Sequence, residues 1–187
     1  MIDAVYDACV LYSAALRDLL LDIAVVGLVN PYWSNEIHEE WIRSLLRNRP
    51  DLERESLERT RRRMDMKFKN SLTEGHEHFL PTLQLPDPND RHVLAVAIHI
   101  QAEYIVTFNL DDFPNTILKQ YGIEAISPDE FVVRLIRTKK NRVLEAIKSH
   151  RSDLTRPTKT VDEYLATLEK QGLPMTVAFL REHKSDI

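Results

Sequence analysis

Short apolar runs separated by longer amphipathic stretches dictate the architecture open to this chain. Ala4-Val5-Tyr6, Leu28-Val29-Asn30-Pro31-Tyr32-Trp33, Tyr104-Ile105-Val106-Thr107-Phe108 and Ile123 to Ile126 read as strands, being short, apolar and bounded by polar or turn-forming residues. Between them apolar residues recur at helical spacing, as with Leu16, Leu19, Leu20 and Ile23 in the stretch Ser13 to Val26. Parallel strands need a crossover connection, and a helix is the usual one. The alternation therefore predicts an α/β fold, a parallel sheet with helices on both faces.

The punctuation agrees. Ser34 is placed to N-cap a helix running to about Asn48, and Pro50 breaks it. Leu52 to Asn70 reads as a basic helix, and Pro81, Pro86 and Pro88 mark a loop. Asp90 to Gln101 is helical, with Val93, Leu94, Ala97 and Ile98 as its buried stripe, and Phe113 to Tyr121 is a short helix stopped by Gly122. Ser127-Pro128-Asp129-Glu130 combines proline at the first helical position with a Ser-x-x-Glu capping box. Beyond about Arg137 the strand signal ends. Polar Lys139-Lys140-Asn141-Arg142 precedes helices over Val143 to about Leu154 and Asp162 to Gln171, the second opened by Thr160 and Glu163. Gly172 and Pro174 then lead into a last helix over Val177, Ala178 and Leu180. The expected division is an α/β domain over residues 1–136 and an all-helical extension over 137–187.

At 187 residues, 43% hydrophobic and 29% charged, the chain can bury about 70% of its unfolded surface and needs no covalent or metal staple to fold. Its single cysteine, Cys9, excludes a disulfide within the chain and any Cys-rich zinc site. No apolar stretch approaches the roughly 18 residues of a membrane span. Met1-Ile2-Asp3 lacks the basic start of a signal peptide, so the expected location is the cytoplasm. The net charge of −4 is segregated: Arg43 to Lys69 carries +5, Arg137 to Ile187 carries +4, and the rest carries −13. An acidic body with separate basic segments suits a protein that gathers carboxylates around cations and keeps basic surface for a polyanion, although long solvated helices are also rich in Lys and Arg.

Functional groups of an open parallel sheet gather beyond the carboxyl ends of its strands. Asp7 ends the first run, and Asn109, Asp111 and Asp112 follow Phe108. Glu36 and Glu40, spaced i,i+4, share a helix face with Glu39 beside them, and Asp87 and Asp90 open the helix that bears His92. Clustered carboxylates repel, so they are tolerable where a hard cation neutralises them. Oxygen-only ligation fits Mg²⁺ or Mn²⁺. Each element alone also reads as a turn, a cap or a solvated first turn. Four acidic sites in this order, two of them at strand ends, carry the inference.

The same order resembles a known family. Val5-Tyr6-Asp7-Ala8-Cys9-Val10-Leu11-Tyr12 resembles the opening block of PIN-domain ribonucleases. Ser34-Asn35-Glu36-Ile37-His38-Glu39-Glu40-Trp41 resembles their second block, whose acidic residue corresponds to Glu40. Asp87-Pro88-Asn89-Asp90-Arg91-His92-Val93-Leu94-Ala95 resembles the third, with Asp90 as ligand. Ile105-Val106-Thr107-Phe108-Asn109-Leu110-Asp111-Asp112-Phe113 resembles the fourth, with Asn109 and Asp112 at its polar positions, and Tyr121 to Phe131 resembles the close of the domain in bacterial members.

The resemblance covers about residues 2–136. It implies a PIN fold and Mg²⁺- or Mn²⁺-dependent cleavage of single-stranded RNA, with Asp7, Glu40 and Asp90 as direct ligands. Asp112 and Asn109 would complete the shell or orient water, and hydrolysis by a metal-activated water would leave a 5′-phosphate and a 3′-hydroxyl. It further implies the toxin of a VapBC-like toxin–antitoxin pair, inhibited by an antitoxin that covers the acidic cleft, and a homodimer. The helical tail resembles an extension on a subset of such toxins. Cys9 stands where many members carry Asn or Ser, and Asn109 where many carry Asp, so the fourth ligand is Asp112, Asn109 or a water held by either. Asn109 also leaves open an inactive PIN-like RNA-binding or scaffold module controlled by a partner. A haloacid-dehalogenase-type phosphotransfer enzyme wants a second carboxylate that Asp7-Ala8-Cys9 lacks, and no clear lysine-bearing strand end supports a receiver domain.

Arg61, Arg62, Arg63 and Lys67 are candidates for contact with RNA phosphates or an acidic partner, with plain solvation as the competing reading. His76-Glu77-His78 reads as surface on a loop, His92 and His99 as a pair seven apart on one helix face, and Trp33 and Trp41 as core.

Overall fold

The four apolar runs form β1 (Ile2–Tyr6), β2 (Val29–Tyr32), β3 (Tyr104–Val106) and β4 (Glu124–Ile126), one all-parallel sheet in the order β2-β1-β3-β4. Val5 pairs with Ile105, and Ile105 with Ala125. Ala4, Val5 and Tyr6 of the central β1 are completely buried, as expected of a strand covered on both faces. Parallel pairing puts every strand's carboxyl end at one rim, so the residues following β1, β2, β3 and β4 emerge on the same side.

The computed structural model describes residues 1–155 and 157–187. They fall into two units, one of Ile2–Tyr12 with Asn30–Ile126, the other of Met1, Ser13–Val29 and Ser127–Ile187.

In the first unit, α1 (Ala8–Tyr12) follows β1 directly. In the second, α2 (Ala14–Val25) begins after Ser13, whose hydroxyl donates to Gln171 Oε1 instead of capping the helix. Back in the first unit, α3 (Asn35–Asn48) opens on Ser34, whose side chain accepts from Ile37 N at 3.3 Å. The basic helix α4 (Arg54–Lys67) is shorter at both ends than its composition suggests. The proline-rich connection holds only the 3-10 turns Glu77–Thr82 and Pro88–Asp90, and α5 (Arg91–His99) begins where the second turn ends. Phe113 to Tyr121 resolves into α6 (Asn115–Leu118) and a 3-10 turn, because Pro114 blocks an earlier start. Gly122 then takes φ +71°, a left-handed turn that closes the segment.

Trp33 and Trp41 are both fully buried, as expected of core residues. Their indole N–H groups find partners around His38: Trp41 Nε1 donates to His38 Nδ1 at 3.0 Å and Trp33 Nε1 to Asp65 Oδ1 at 2.8 Å. His38 Nε2 lies 3.1 Å from the same Asp65 oxygen. Because Nδ1 accepts, Nε2 carries the proton and donates to Asp65. Burial holds His38 down at about 4, so it is neutral in this network near pH 7.

In the second unit, α7 (Pro128–Asp153) is broken at Lys139, with φ −141° and ψ 43°, where the polar Lys139–Arg142 run interrupts the apolar stripe. It is followed by α8 (Val161–Lys170) and α9 (Pro174–Arg181). The Thr160–Glu163 capping box forms in both directions, with Glu163 N donating to Thr160 Oγ1 at 3.3 Å and Thr160 N to Glu163 Oε2 at 2.9 Å. The Ser127 cap is one-sided. Its hydroxyl accepts from Glu130 N at 3.2 Å, while the Glu130 carboxylate pairs with Arg134 at 2.7 Å. Buried Asp129 accepts from Met175 N, Thr176 N and Thr176 Oγ1 at 2.7–2.8 Å, satisfying orphan donors at the start of α9.

Candidate functional site

Asp7 leaves β1 at the carboxyl rim and is 2% exposed. Its Oδ2 accepts from Thr107 Oγ1 at 2.6 Å and from Cys9 Sγ at 3.0 Å. Burial, seconded by the Asp7 charge, pushes the Cys9 thiol up, so it stays protonated and serves as a donor. Burial raises Asp7 above the ordinary carboxylate range, and the two hydrogen bonds oppose that rise.

Asp90 stands at the junction of the 3-10 turn Pro88–Asp90 with α5. Burial raises it first, and the charges of Asp7, Asp87, Asp112 and Glu40 raise it further, to about 7. Asp7, Glu40 and Asp112, each from a different stretch of the chain, are thus near enough to Asp90 for their charges to act on its carboxyl. Asn109 sits exposed at the same rim, its N–H donating to Thr107 Oγ1 at 3.0 Å.

A cleft of about 730 Å³ opens over this rim, lined on one side by α3 residues Glu36, Glu39, Glu40, Arg43 and Arg47 and on the other by Asp87, Asp90, His92 and Asn109. Glu40 Oε2 lies 3.2 Å from His92 Nε2, so His92 belongs to the cleft. Glu39 is diverted: Arg54 of α4 holds both its oxygens, at 2.6 and 3.0 Å. Arg43 and Arg47 were not among the expected site residues. Their signal was present, since 36, 40, 43 and 47 repeat at intervals of four and three and share one helix face.

The donors at the rim suit a hard divalent cation. They are carboxylate oxygens, and Asp90 Oδ2 is buried with no hydrogen-bond partner among the described residues. A buried carboxylate oxygen among like charges is costly unless a proton or a cation neutralises it. The four expected ligands do not close into the tight set of three or more ligand atoms within 4.8 Å. Among the described residues, that set is Glu36, His76 and Glu77.

The basic candidates divide. Arg61 is engaged within the chain, donating to Asn35 Oδ1 and pairing with Glu58 at 3.7 Å and Asp65 at 3.8 Å. Arg62, Arg63 and Lys67 are exposed, with Lys67 Nζ 6.0 Å from the Phe68 ring centre. No helix among the described residues is long and apolar enough to cross a membrane.

Comparison with known proteins adds three findings. The family described as PIN domain matches residues 3–111, and the family described as VapC50 C-terminal domain matches residues 128–182. A Mycobacterium tuberculosis (strain ATCC 25618 / H37Rv) protein named "Putative ribonuclease VapC50" is 54% identical over 44 residues, 24% of this chain. That stretch spans only 26% of the relative's own length. No solved structure matches.

Proposed function

The chain belongs to the PIN-domain family, and from that premise we propose that it is a metal-dependent endoribonuclease, the toxin of a VapBC-like pair. Asp90 Oδ2, buried without a hydrogen-bond partner in a ring of carboxylates, is the observation that carries this reading. Asp7, Glu40 and Asp90 would hold Mg²⁺ or Mn²⁺, with Asp112 and Asn109 completing the shell or orienting water. When bound, the ion supplies positive charge for the scissile phosphate and lowers the pKa of a coordinated water.

The chain's own residues do the rest. Thr107 and Cys9 fix the Asp7 carboxylate by donating to Oδ2, which leaves Oδ1 directed elsewhere. His92 steadies Glu40 from the opposite wall of the cleft at 3.2 Å. Arg43 and Arg47, one and two turns along α3 from Glu40, offset the acidic rim and draw in the phosphate backbone of a single strand. Water attacks phosphorus in line, leaving a 5′-phosphate and a 3′-hydroxyl, with no covalent enzyme intermediate.

An antitoxin would inhibit by covering the acidic cleft. Phe108 and Leu110, 43% and 42% exposed beside Asn109, give such a partner apolar surface at the rim. The resemblance to VapC-like toxins also supports a homodimer acting in the cytoplasm. Titration calorimetry with Mn²⁺ tests the reading. Wild-type protein should bind, and Asp7→Asn with Asp90→Asn should remove carboxylate-dependent binding at this rim while circular dichroism stays unchanged. Equal heats from both proteins would refute the assignment.

A further inference from the structure

Beside the carboxylate rim, a chemically different set of donors gathers. Glu36 lies in the first turn of α3, while His76 and Glu77 head the 3-10 turn Glu77–Thr82 on the connection between α4 and α5. One ligand atom from each lies within 4.8 Å of the other two. His76 is only 1% exposed, and neither of its ring nitrogens has a hydrogen-bond partner among the described residues. The surface reading of the His-x-His run therefore holds for His78, which is exposed, and fails for His76.

A buried imidazole normally donates from one nitrogen and accepts at the other. His76 does neither. Its Nε2 stands 3.7 Å from Glu36 Oε2, too far for a hydrogen bond. The separation is near the roughly 3.4 Å edge of a tetrahedron whose centre lies about 2.1 Å from each ligand.

We propose that Glu36, His76 and Glu77 form a second metal site, taking a borderline first-row ion such as Zn²⁺. One imidazole nitrogen with two carboxylates is a set that suits zinc, whereas the all-oxygen rim suits magnesium or manganese. Three protein ligands leave a position for water. His76 is the fixed, buried anchor, and the exposed carboxylates of Glu36 and Glu77 close onto the ion from solvent at little desolvation cost. The ion ties the irregular connection to α3. That connection carries Asp87 and ends at Asp90, so occupancy fixes the placement of the rim. The site uses none of Asp7, Glu40, Asp90 and Asp112 and stands whether or not the chain cleaves RNA.

The test uses the full chain, stripped with chelator, in an Asp7→Asn/Asp90→Asn background that removes the carboxylate site. Co²⁺ is the probe, read through its visible d–d bands, and Zn²⁺ competes for the same site. One equivalent of Co²⁺ should bind with the bands of a four- or five-coordinate ion, and Zn²⁺ should displace it. Glu36→Gln and Glu77→Gln, both at exposed positions, should each weaken Co²⁺ binding at least fivefold. Absence of the bands in the background protein, or a smaller loss from either glutamine variant, overturns the proposal.

Discussion

Asp7 Oδ2 and Thr107 Oγ1 lie 2.6 Å apart across the β1–β3 pair, the one at the end of β1 and the other just past β3. The contact joins residues 100 positions apart and sets which way the most buried carboxylate of the rim points. Thr107→Val keeps the side-chain shape and removes the donor, leaving Cys9 Sγ alone on Oδ2. Losing a hydrogen bond to a charged group costs about 1.5–3 kcal/mol. Single-turnover cleavage should therefore slow by about tenfold or more with an unchanged circular dichroism spectrum. A wild-type rate in the folded variant would break the link between Thr107 and Asp7.

Asp90 makes the ion-free protein sensitive to pH. Its carboxyl rises from 3.8 to about 7, so the folded chain holds that proton more tightly than the unfolded chain. The group's favourable contribution is complete below about 4 and disappears as pH rises through about 7. Asp90→Asn should accordingly stabilise the ion-free protein at pH 8 by about 1–2 kcal/mol, with the gain shrinking toward pH 4. Urea denaturation of the two proteins across that range measures it. A gain independent of pH would show that ionisation of the Asp90 carboxyl is not its cause.

His38 titrates in the opposite sense. Burial holds it at about 4, so the stability it contributes is present above its unfolded value near 6.5 and is lost as pH falls through about 4. His38→Leu leaves the buried Trp41 N–H without its acceptor and removes a donor from Asp65. At pH 7 it should cost about 2–3 kcal/mol, read as a lower denaturation midpoint. A change under 0.5 kcal/mol (about the noise of a surface substitution) would mean that the indole finds another acceptor.

The two basic groups should differ in what they do to RNA binding. Arg62 and Arg63 are exposed on α4, and if they meet phosphates, replacing both with alanine should lower the log–log salt slope by about 1.4. Arg43→Ala with Arg47→Ala, inside the cleft, should weaken binding and also slow cleavage at saturating RNA. Fluorescence anisotropy over a salt series, paired with kcat, separates the two. An unchanged slope for the α4 pair would assign those arginines to solvent.

The rim was legible in the sequence where local rules sufficed. Strand-end logic points to Asp7, Asn109, Asp111 and Asp112, i,i+4 spacing puts Glu36 and Glu40 on one helix face, and the family resemblance singles out Glu40 between them. Asp90 stands where the helix opens, although it ends a 3-10 turn and α5 begins one residue later. What escaped was tertiary. Glu39 looks equivalent to Glu40 on paper, but Arg54 from the next helix claims it. Arg43 and Arg47 look like the solvated arginines of any long helix, and only the cleft distinguishes them. Nothing in His76-Glu77-His78 separates a buried imidazole from an exposed one, because the burial comes from elements distant in sequence.

Cleavage of single-stranded RNA by the full chain, with and without chelator and with the product ends identified, most directly tests whether the rim is a metal-dependent nuclease. Wild-type protein with Mn²⁺ should leave 5′-phosphate and 3′-hydroxyl ends, and chelation should stop it. Asp7→Asn should lower the rate at least a hundredfold at an unchanged thermal midpoint in chelator. Cleavage that survives chelation, full activity in folded Asp7→Asn protein, or no cleavage of any single strand despite Mn²⁺ binding would contradict it, the last pointing to a scaffold.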